Sequence, residues 1–282
     1  MSCITSALLI GTIPITRSNP HVKPETILIT GASSGIGREL ARCFAADGSR
    51  LVLVARRGDA LESLAAELRQ ASSIDAQVLV GDLARPEAAA RILSQLEHDG
   101  LEVDVLLNNA GFGAQGLFAQ LPVERQLEMV QLNVATLTRL TRLFLPDMIA
   151  RRRGGILNVA STAAFQPGPH MAVYYASKAF VLSFSEALSE ELAGTGVTVT
   201  ALCPGPTGTG FGEAAQMRRT SLFRLLTMSA SSVAEAGHRG FRRGRAVVIP
   251  GVRNRLLALA VRLVPRRLSR KIVGAMNKPS QA

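Results

Sequence analysis

The stretch "TILITGASSGIGREL" (residues 26–40) changes its pattern at Gly31. Before that glycine, "TILIT" is an uncharged, β-branched run, the composition of a strand buried on both faces. After it, Gly31, Gly35 and Gly37 form a G-x3-G-x-G turn that leads into a helical pattern. Glycines here permit a tight turn and a close backbone approach to a pyrophosphate, while the helix start supplies N–H donors and positive dipole. The spacing departs from G-x-G-x-x-G, and glycine-rich turns also serve plain strand-to-helix connections. Placement between a first strand and a first helix is what favours binding.

Six further apolar runs follow: "RLVLVA" (50–55), "AQVLV" (76–80), "VDVLLN" (103–108), "GILNVAS" (155–161), "VTVTALC" (197–203) and "AVVIP" (246–250). Between them lie amphipathic stretches such as "DALESLAAELRQA" (59–71) and the long segment 122–150. This alternation predicts an α/β fold, a doubly wound parallel sheet of about seven strands with helices on both faces. With no internal repeat or low-complexity linker, one domain over residues 25–251 is expected. Residues 1–24 read as a poorly ordered extension or a misassigned start, and residues 252–282 as a basic amphipathic extension.

A chain of 282 residues with 47% hydrophobic side chains can bury a substantial core, so disorder is not the default reading. No run approaches the roughly 18–20 apolar residues of a membrane-spanning helix. The apolar run near the N-terminus has no basic residue before it, so a signal peptide is not expected. Cys3, Cys43 and Cys203 have no metal-ligand spacing and fit a reducing cytosol, giving a cytoplasmic expectation with no metal site. The net charge of +11 is uneven: residues 1–216 carry 17 basic and 20 acidic side chains, whereas residues 217–282 carry 15 basic and only Glu235.

Other motifs follow in order. "GDL" occupies 81–83, "NNAG" 108–111 and "PGPTGT" 204–209; Asn133 lies within the long helical segment and Ser161 ends the fifth strand. Tyr174 and Lys178 form Y-x3-K inside "AVYYASKAF" (172–180), which also holds Tyr175. Together with the glycine turn, this ordered set resembles the short-chain dehydrogenase/reductase family over about residues 25–250. The resemblance implies a Rossmann-like enzyme that interconverts a carbonyl and a secondary alcohol by hydride transfer. It implies cofactor contacts from Gly31, Ser33, Ser34, Gly35, Ile36 and Gly37, from Asp82 (adenine side) and Leu83, and from Asn109, Ala110 and Gly111. It also implies contacts from Tyr174, Lys178, Pro204, Gly205 and Thr209.

At the end of the second strand, Arg56 stands where NAD-preferring members of the family carry Asp, and Arg57 follows. A carboxylate there would bond the ribose 2′-hydroxyl of NAD; an arginine fork suits the 2′-phosphate of NADP. The expected cofactor is NADP(H), set against two merely solvated arginines.

Carbonyl–alcohol exchange needs a hydride carrier, a proton donor or acceptor, and polarisation of the oxygen. A free tyrosine, with a pKa of about 10, is a poor base until nearby positive charge stabilises its phenolate. A serine hydroxyl can donate to the substrate oxygen as charge develops. The resemblance gives these roles to Tyr174, Lys178 and Ser161, with Lys178 also on the nicotinamide ribose and Asn133 positioning a proton-relay water. Helical spacing alone lets either tyrosine approach Lys178; only the family register selects Tyr174, leaving Tyr175 for packing or subunit contact. The alternative function is a catalytically silent NADP(H)-binding sensor or interaction protein, against which the intact quartet argues.

Residues 210–230 correspond to the family's substrate-closing region and contain Phe211, Met217, Leu222, Phe223, Leu225, Leu226 and Met228. With Phe112 and Phe165 they either line a pocket for a lipophilic substrate or pack on the body. The tail "VRNRLLALAVRLVPRRLSRKIVGAM" (252–276) reads as two amphipathic pieces split by Pro265. In the second piece Leu268, Ile272, Val273 and Met276 form an apolar stripe beside Arg266, Arg267, Arg270 and Lys271. It docks on the domain or a partner subunit, or lies on an anionic membrane surface. Family members are commonly dimers or tetramers, so a homodimer or homotetramer is expected. No nucleic-acid partner is expected, since the tail has few aromatics for stacking and no recognised motif.

Overall fold

Alternate residues of β1 (Thr26–Thr30) feed two different cores: Ile27 and Ile29 pack on one face and Leu28 on the other, all fully buried. That double burial is why the run shows no polar alternation. These positions come from a computed structural model that describes residues 23–209 and 227–278. The N-terminal segment 1–22 and the lipophilic residues expected between 211 and 226 lie outside the described residues.

The sheet also contains β2 (Arg50–Ala55), β3 (Ala76–Val80), β4 (Val105–Asn108), β5 (Gly154–Val159) and β6 (Val197–Leu202). A two-residue ladder pairs β7 (Thr207–Gly208) with β8 (Met228–Ser229), and β9 (Val247–Val248) completes the main sheet. Its seven strands are all parallel, in the order β3-β2-β1-β4-β5-β6-β9. On the Ile27 face lie α1 (Gly35–Ala46), α2 (Gly58–Ser72) and α7 (Ala230–Arg242), contributing Leu40, Phe44, Leu61 and Phe241. The Leu28 face is covered by α3 (Ala88–His98), α5 (Leu137–Ala150) and α6 (Ala172–Glu191). Strand order reverses at β1, between β2 and β4, and a doubly wound sheet opens a crevice at the carboxyl ends of its strands there.

The structure departs locally from the sequence reading in three places. β4 starts at Val105; just before it the Asp104 carboxylate accepts from the Thr26 N–H at 2.9 Å and pairs with Arg153 at 2.7 Å, while the Asp104 N–H donates to Thr26 O at 2.9 Å. The segment expected as one helix over 122–150 is α4 (Val123–Val130), a π-helical segment Gln131–Thr136, and α5. The final strand shrinks to Val247–Val248.

A buried polar line fixes α6 to the sheet. The Asn108 amide donates to Asn158 Oδ1 at 2.9 Å, and the Asn158 amide donates to Ser185 Oγ at 2.9 Å. Although Asn108 Oδ1 has no partner in it, this directional buried line favours one register, which helps to set where the first turns of α6 lie. The tail forms α8 (Val252–Leu263) and α9 (Arg266–Met276), with Pro265 just before α9, where its fixed φ suits a helix start. No helix among the described residues is long and apolar enough to cross a membrane.

Candidate active site

The glycine turn, Arg56–Arg57, residues 81–83 and 109–111, Ser161 and residues 204–209 each follow the carboxyl end of a strand, so the parallel topology gathers them on one edge of the sheet. There they surround a cavity of about 870 Å³. After β1, Gly31 and Gly35 both take positive φ (67° and 57°), a region that L side chains rarely adopt. Ser33, Ser34 and Ile36 line the cavity with them. Ser34 precedes α1 without a side-chain capping bond, so no capping side chain occupies the helix start facing the cavity.

Gly37 is absent from the cavity wall. A Cβ there would come within 2.4 Å of Asn109 Nδ2 and 2.5 Å of Gly31 O, so its part is to let the turn close. Asn109 holds the same turn from β4, its amide donating to Thr30 O at 2.9 Å and Gly31 O at 3.1 Å. The Thr30 hydroxyl accepts from the N–H groups of Asn109 and Ala110 at 2.9 and 3.1 Å. This interlock brings Asn109, Ala110 and Gly111 onto the wall.

Arg56 and Arg57 follow β2 at the cavity, both exposed. Arg57 reaches back to the turn, donating to Ser33 O at 3.1 Å and Ser33 Oγ at 3.3 Å. Asp82 and Leu83 follow β3; Asp82 accepts from the Ala84 N–H at 3.1 Å. Pro204, Gly205 and Thr209 follow β6, and Thr209 packs over Gly35, where a Cβ would lie 3.0 Å from Thr209 Cγ2.

Ser161, Tyr174 and Lys178 line the same cavity. Ser161 caps the short 3-10 turn Thr162–Phe165, its Oγ accepting from the Ala163 N–H at 3.1 Å. Burial pushes the Tyr174 hydroxyl up to about 12, against the Ser161 hydrogen bond, which pulls it down. One turn later on α6, burial brings Lys178 down to about 8. Its ammonium donates to Val159 O at 2.7 Å, tying α6 to the end of β5.

Asn133 also lies behind the wall, almost fully buried on the π-helical segment. Its amide donates to Phe112 O at 3.0 Å and Ser177 Oγ at 3.1 Å, while its Oδ1 accepts from the Phe112 N–H at 3.2 Å. The loop at Gly111 runs between Asn133 and Lys178: a Cβ on that glycine would be 2.9 Å from Asn133 Oδ1 and 3.5 Å from Lys178 Nζ.

Both tyrosines line the cavity, but their hydroxyls have different neighbours. Tyr174 bonds Ser161, whereas the Tyr175 hydroxyl lies 3.5 Å from Asn277 Oδ1, just after α9. The Tyr175 ring rests on Gly168, where a Cβ would sit 2.2 Å from the ring. Of the two expected aromatics, Phe112 reaches the cavity beneath the Arg125 guanidinium, 3.8 Å from the ring centre. Phe165 instead packs against the buried cluster of Leu137, Val181 and Cys203.

Sequence reasoning missed the wall that the tail supplies. Asn254, Leu257 and Val261 of α8 and Ile272 and Met276 of α9 line the cavity, with Asn277 beyond them. A Cβ at Gly205 would lie 2.4 Å from Asn254 Oδ1, so Gly205 also makes room for the tail. Among the described residues no group of three His, Cys, Asp or Glu is placed to hold a metal ion.

Comparison with known proteins adds three relatives. Residues 25–219 match the family described as short chain dehydrogenase. A short chain dehydrogenase of Pseudocercospora fijiensis is 37% identical over 67% of this chain, and the match spans 62% of that protein's length. A short-chain dehydrogenase from Sphingobium yanoikuyae in complex with NADPH is 35% identical, with a TM-score of 0.76 over 92% of this chain and 98% of that one. A 3-ketoacyl-(acyl-carrier-protein) reductase from Brucella melitensis, complexed with NADH, is 30% identical, with a TM-score of 0.69 over 81% and 96%.

Proposed function

Because the chain belongs to the short-chain dehydrogenase/reductase family, we propose that it is an NADP(H)-dependent oxidoreductase that reduces a carbonyl to a secondary alcohol. The observation that carries this reading is one cavity lined both by the glycine turn and by Ser161, Tyr174 and Lys178. The donor set fits a dinucleotide phosphate: an uncapped helix start behind positive-φ glycines suits a pyrophosphate, and Arg56 suits a 2′-phosphate. A bound nicotinamide supplies the hydride that reduces the carbonyl carbon.

The chain's own groups supply the proton and the positive field. The Tyr174 hydroxyl gives its proton to the substrate oxygen, and the Ser161 hydroxyl donates a hydrogen bond to that oxygen as charge builds. Lys178 stabilises the phenolate left on Tyr174, and Asn133 holds the loop at Phe112 beside Lys178 as a positioning residue. With Tyr174 pushed up to about 12 and Lys178 down to about 8, the neutral-pH site holds a phenol beside a largely protonated ammonium. That is the protonation state for giving a proton, which favours the reductive direction. The test is oxidation of NADPH across a panel of carbonyls, each run against the Tyr174→Phe protein. Tight NADPH binding with no turnover of any carbonyl would leave the sensor reading instead.

Cofactor choice is tested separately, since similar structures hold NADPH in one case and NADH in another. Arg56→Asp exchanges a charge-assisted contact for repulsion, worth about 3 kcal/mol, so preference for NADPH over NADH is expected to fall about 100-fold. Initial rates with each cofactor measure that ratio, and an unchanged ratio would remove Arg56 from the assignment. A second copy of the chain is the proposed oligomeric partner; Leu127 and Val130 of α4 and Phe180 of α6 remain exposed for it.

A further inference from the structure

The tail presents two different rows of side chains. Its inner row is Asn254, Ala258, Ser269, Val273 and Asn277, all buried against the body. Hydrogen bonds fasten the far end: Gln115 Nε2 donates to Asn277 O at 2.6 Å, and the Asn277 amide donates to Pro169 O at 3.2 Å. The outer row is apolar and uncovered, with Leu256 61%, Leu263 88% and Leu268 50% exposed. A fastened helix pair that still shows this many large apolar side chains lacks a partner.

Charge narrows what the partner is. Residues 252–282 contain eight basic side chains and no acidic one. The ion pairs found among the described residues all lie outside this tail. A second copy of the same face would bring eight like charges against eight, whereas an anionic bilayer neutralises them and takes up the leucines.

Location supplies the consequence. Leu257, Ile272 and Met276 line the cavity and are also about half exposed, so they form part of its rim. We propose that α8 and α9 seat the protein on an anionic membrane surface with this rim in contact with the lipid. The substrate is then a membrane-dissolved carbonyl lipid that enters past the tail without crossing water. The substrate half rests on the oxidoreductase reading; the docking half does not.

The test uses full-length protein and Leu263→Glu, a position outside the cavity wall. Co-sedimentation is measured with phosphatidylcholine vesicles, with and without phosphatidylserine. Wild type is expected to pellet with the anionic vesicles and to be released by high salt, and Leu263→Glu to bind at least about tenfold more weakly. Equal binding by the two proteins, or no pelleting, overturns docking. So does a wild-type oligomer that dissociates in Leu263→Glu without any vesicle binding, since the face would then be a subunit contact. Thermal midpoints of the two proteins must agree, which excludes a folding defect as the cause. For the substrate half, NADPH oxidation is followed with a long-chain methyl ketone dissolved in the same anionic vesicles. Slower turnover by Leu263→Glu supports entry from the lipid; equal turnover overturns it. No turnover of this ketone by either protein overturns the substrate half alone, because the carbonyl panel tests the oxidoreductase reading, and pelleting still decides docking.

Discussion

Replacing Tyr174 with phenylalanine is expected to lower carbonyl reduction by about 10³-fold, within the range for loss of a positioned general acid. Phenylalanine keeps the ring that meets Tyr175 edge-on at 6.0 Å, so the packing survives and only the hydroxyl beside Ser161 is lost. Cofactor binding is therefore expected to hold while kcat falls. Tyr175→Phe is the matched control. Its hydroxyl is 3.5 Å from Asn277 Oδ1, at the outer limit of a hydrogen bond, and losing it should cost about 1 kcal/mol or less. Steady-state kinetics on the two proteins give the answer. Should Tyr175→Phe be the inactive protein, the assignment of the proton donor is reversed.

That pair of mutants tests a distinction which helical spacing left open and the fold makes geometric. Residues three and four apart on a helix share a face, so the spacing allowed either tyrosine to meet Lys178. Contacts far along the chain separate them: Ser161 on the β5 side for Tyr174, and Asn277 with Gly168 for Tyr175. The strands were easier to read, because parallel strands buried on both faces are apolar nearly throughout, as Ile27, Leu28 and Ile29 illustrate. The glycine turn was legible for a related reason, since positive φ at Gly31 and Gly35 restricts the residues that fit. Where the pattern misled, it was about destination. In α9 the apolar stripe suggested Leu268, Ile272, Val273 and Met276 as the docking face. The row that docks is Ser269, Val273 and Asn277, two of them polar, and only Val273 is common to both. Amphipathicity gives a helix an apolar side without saying whether body, cavity or membrane receives it. Likewise, nothing in "QLNVAT" marks the π-helical winding that carries Asn133.

Lys178→Met is the second large effect, because it removes the charge while nearly keeping the length of the side chain. Tyr174 and Lys178 are one turn apart on α6, both buried, with the ammonium fixed by Val159 O at 2.7 Å. Opposite unit charges about 4 Å apart attract by about 4 kcal/mol at an effective dielectric of about 20, which sets the ceiling for the ammonium's effect on a developing phenolate. The expected loss in kcat/KM is therefore up to about 10³-fold. The variant leaves the Val159 carbonyl without this donor, which costs about 1–3 kcal/mol, but it also relieves the burial of a cation. Its thermal midpoint should move little, and a large fall would make the kinetic loss a folding effect. The pH profile separates the two causes. Burial sets Lys178 near 8, so its ammonium is present below that pH and lost above it. Tyr174, near 12, remains a phenol over the same interval and gives no limb there. Wild-type reduction should hold steady below about pH 8 and then fall toward tenfold per pH unit; in Lys178→Met that limb should be absent. A wild-type profile that stayed flat well above pH 8 would mean that the Lys178 charge does not assist the proton transfer. Its buried ammonium would then serve only to tie α6 to β5 and to hold the cofactor.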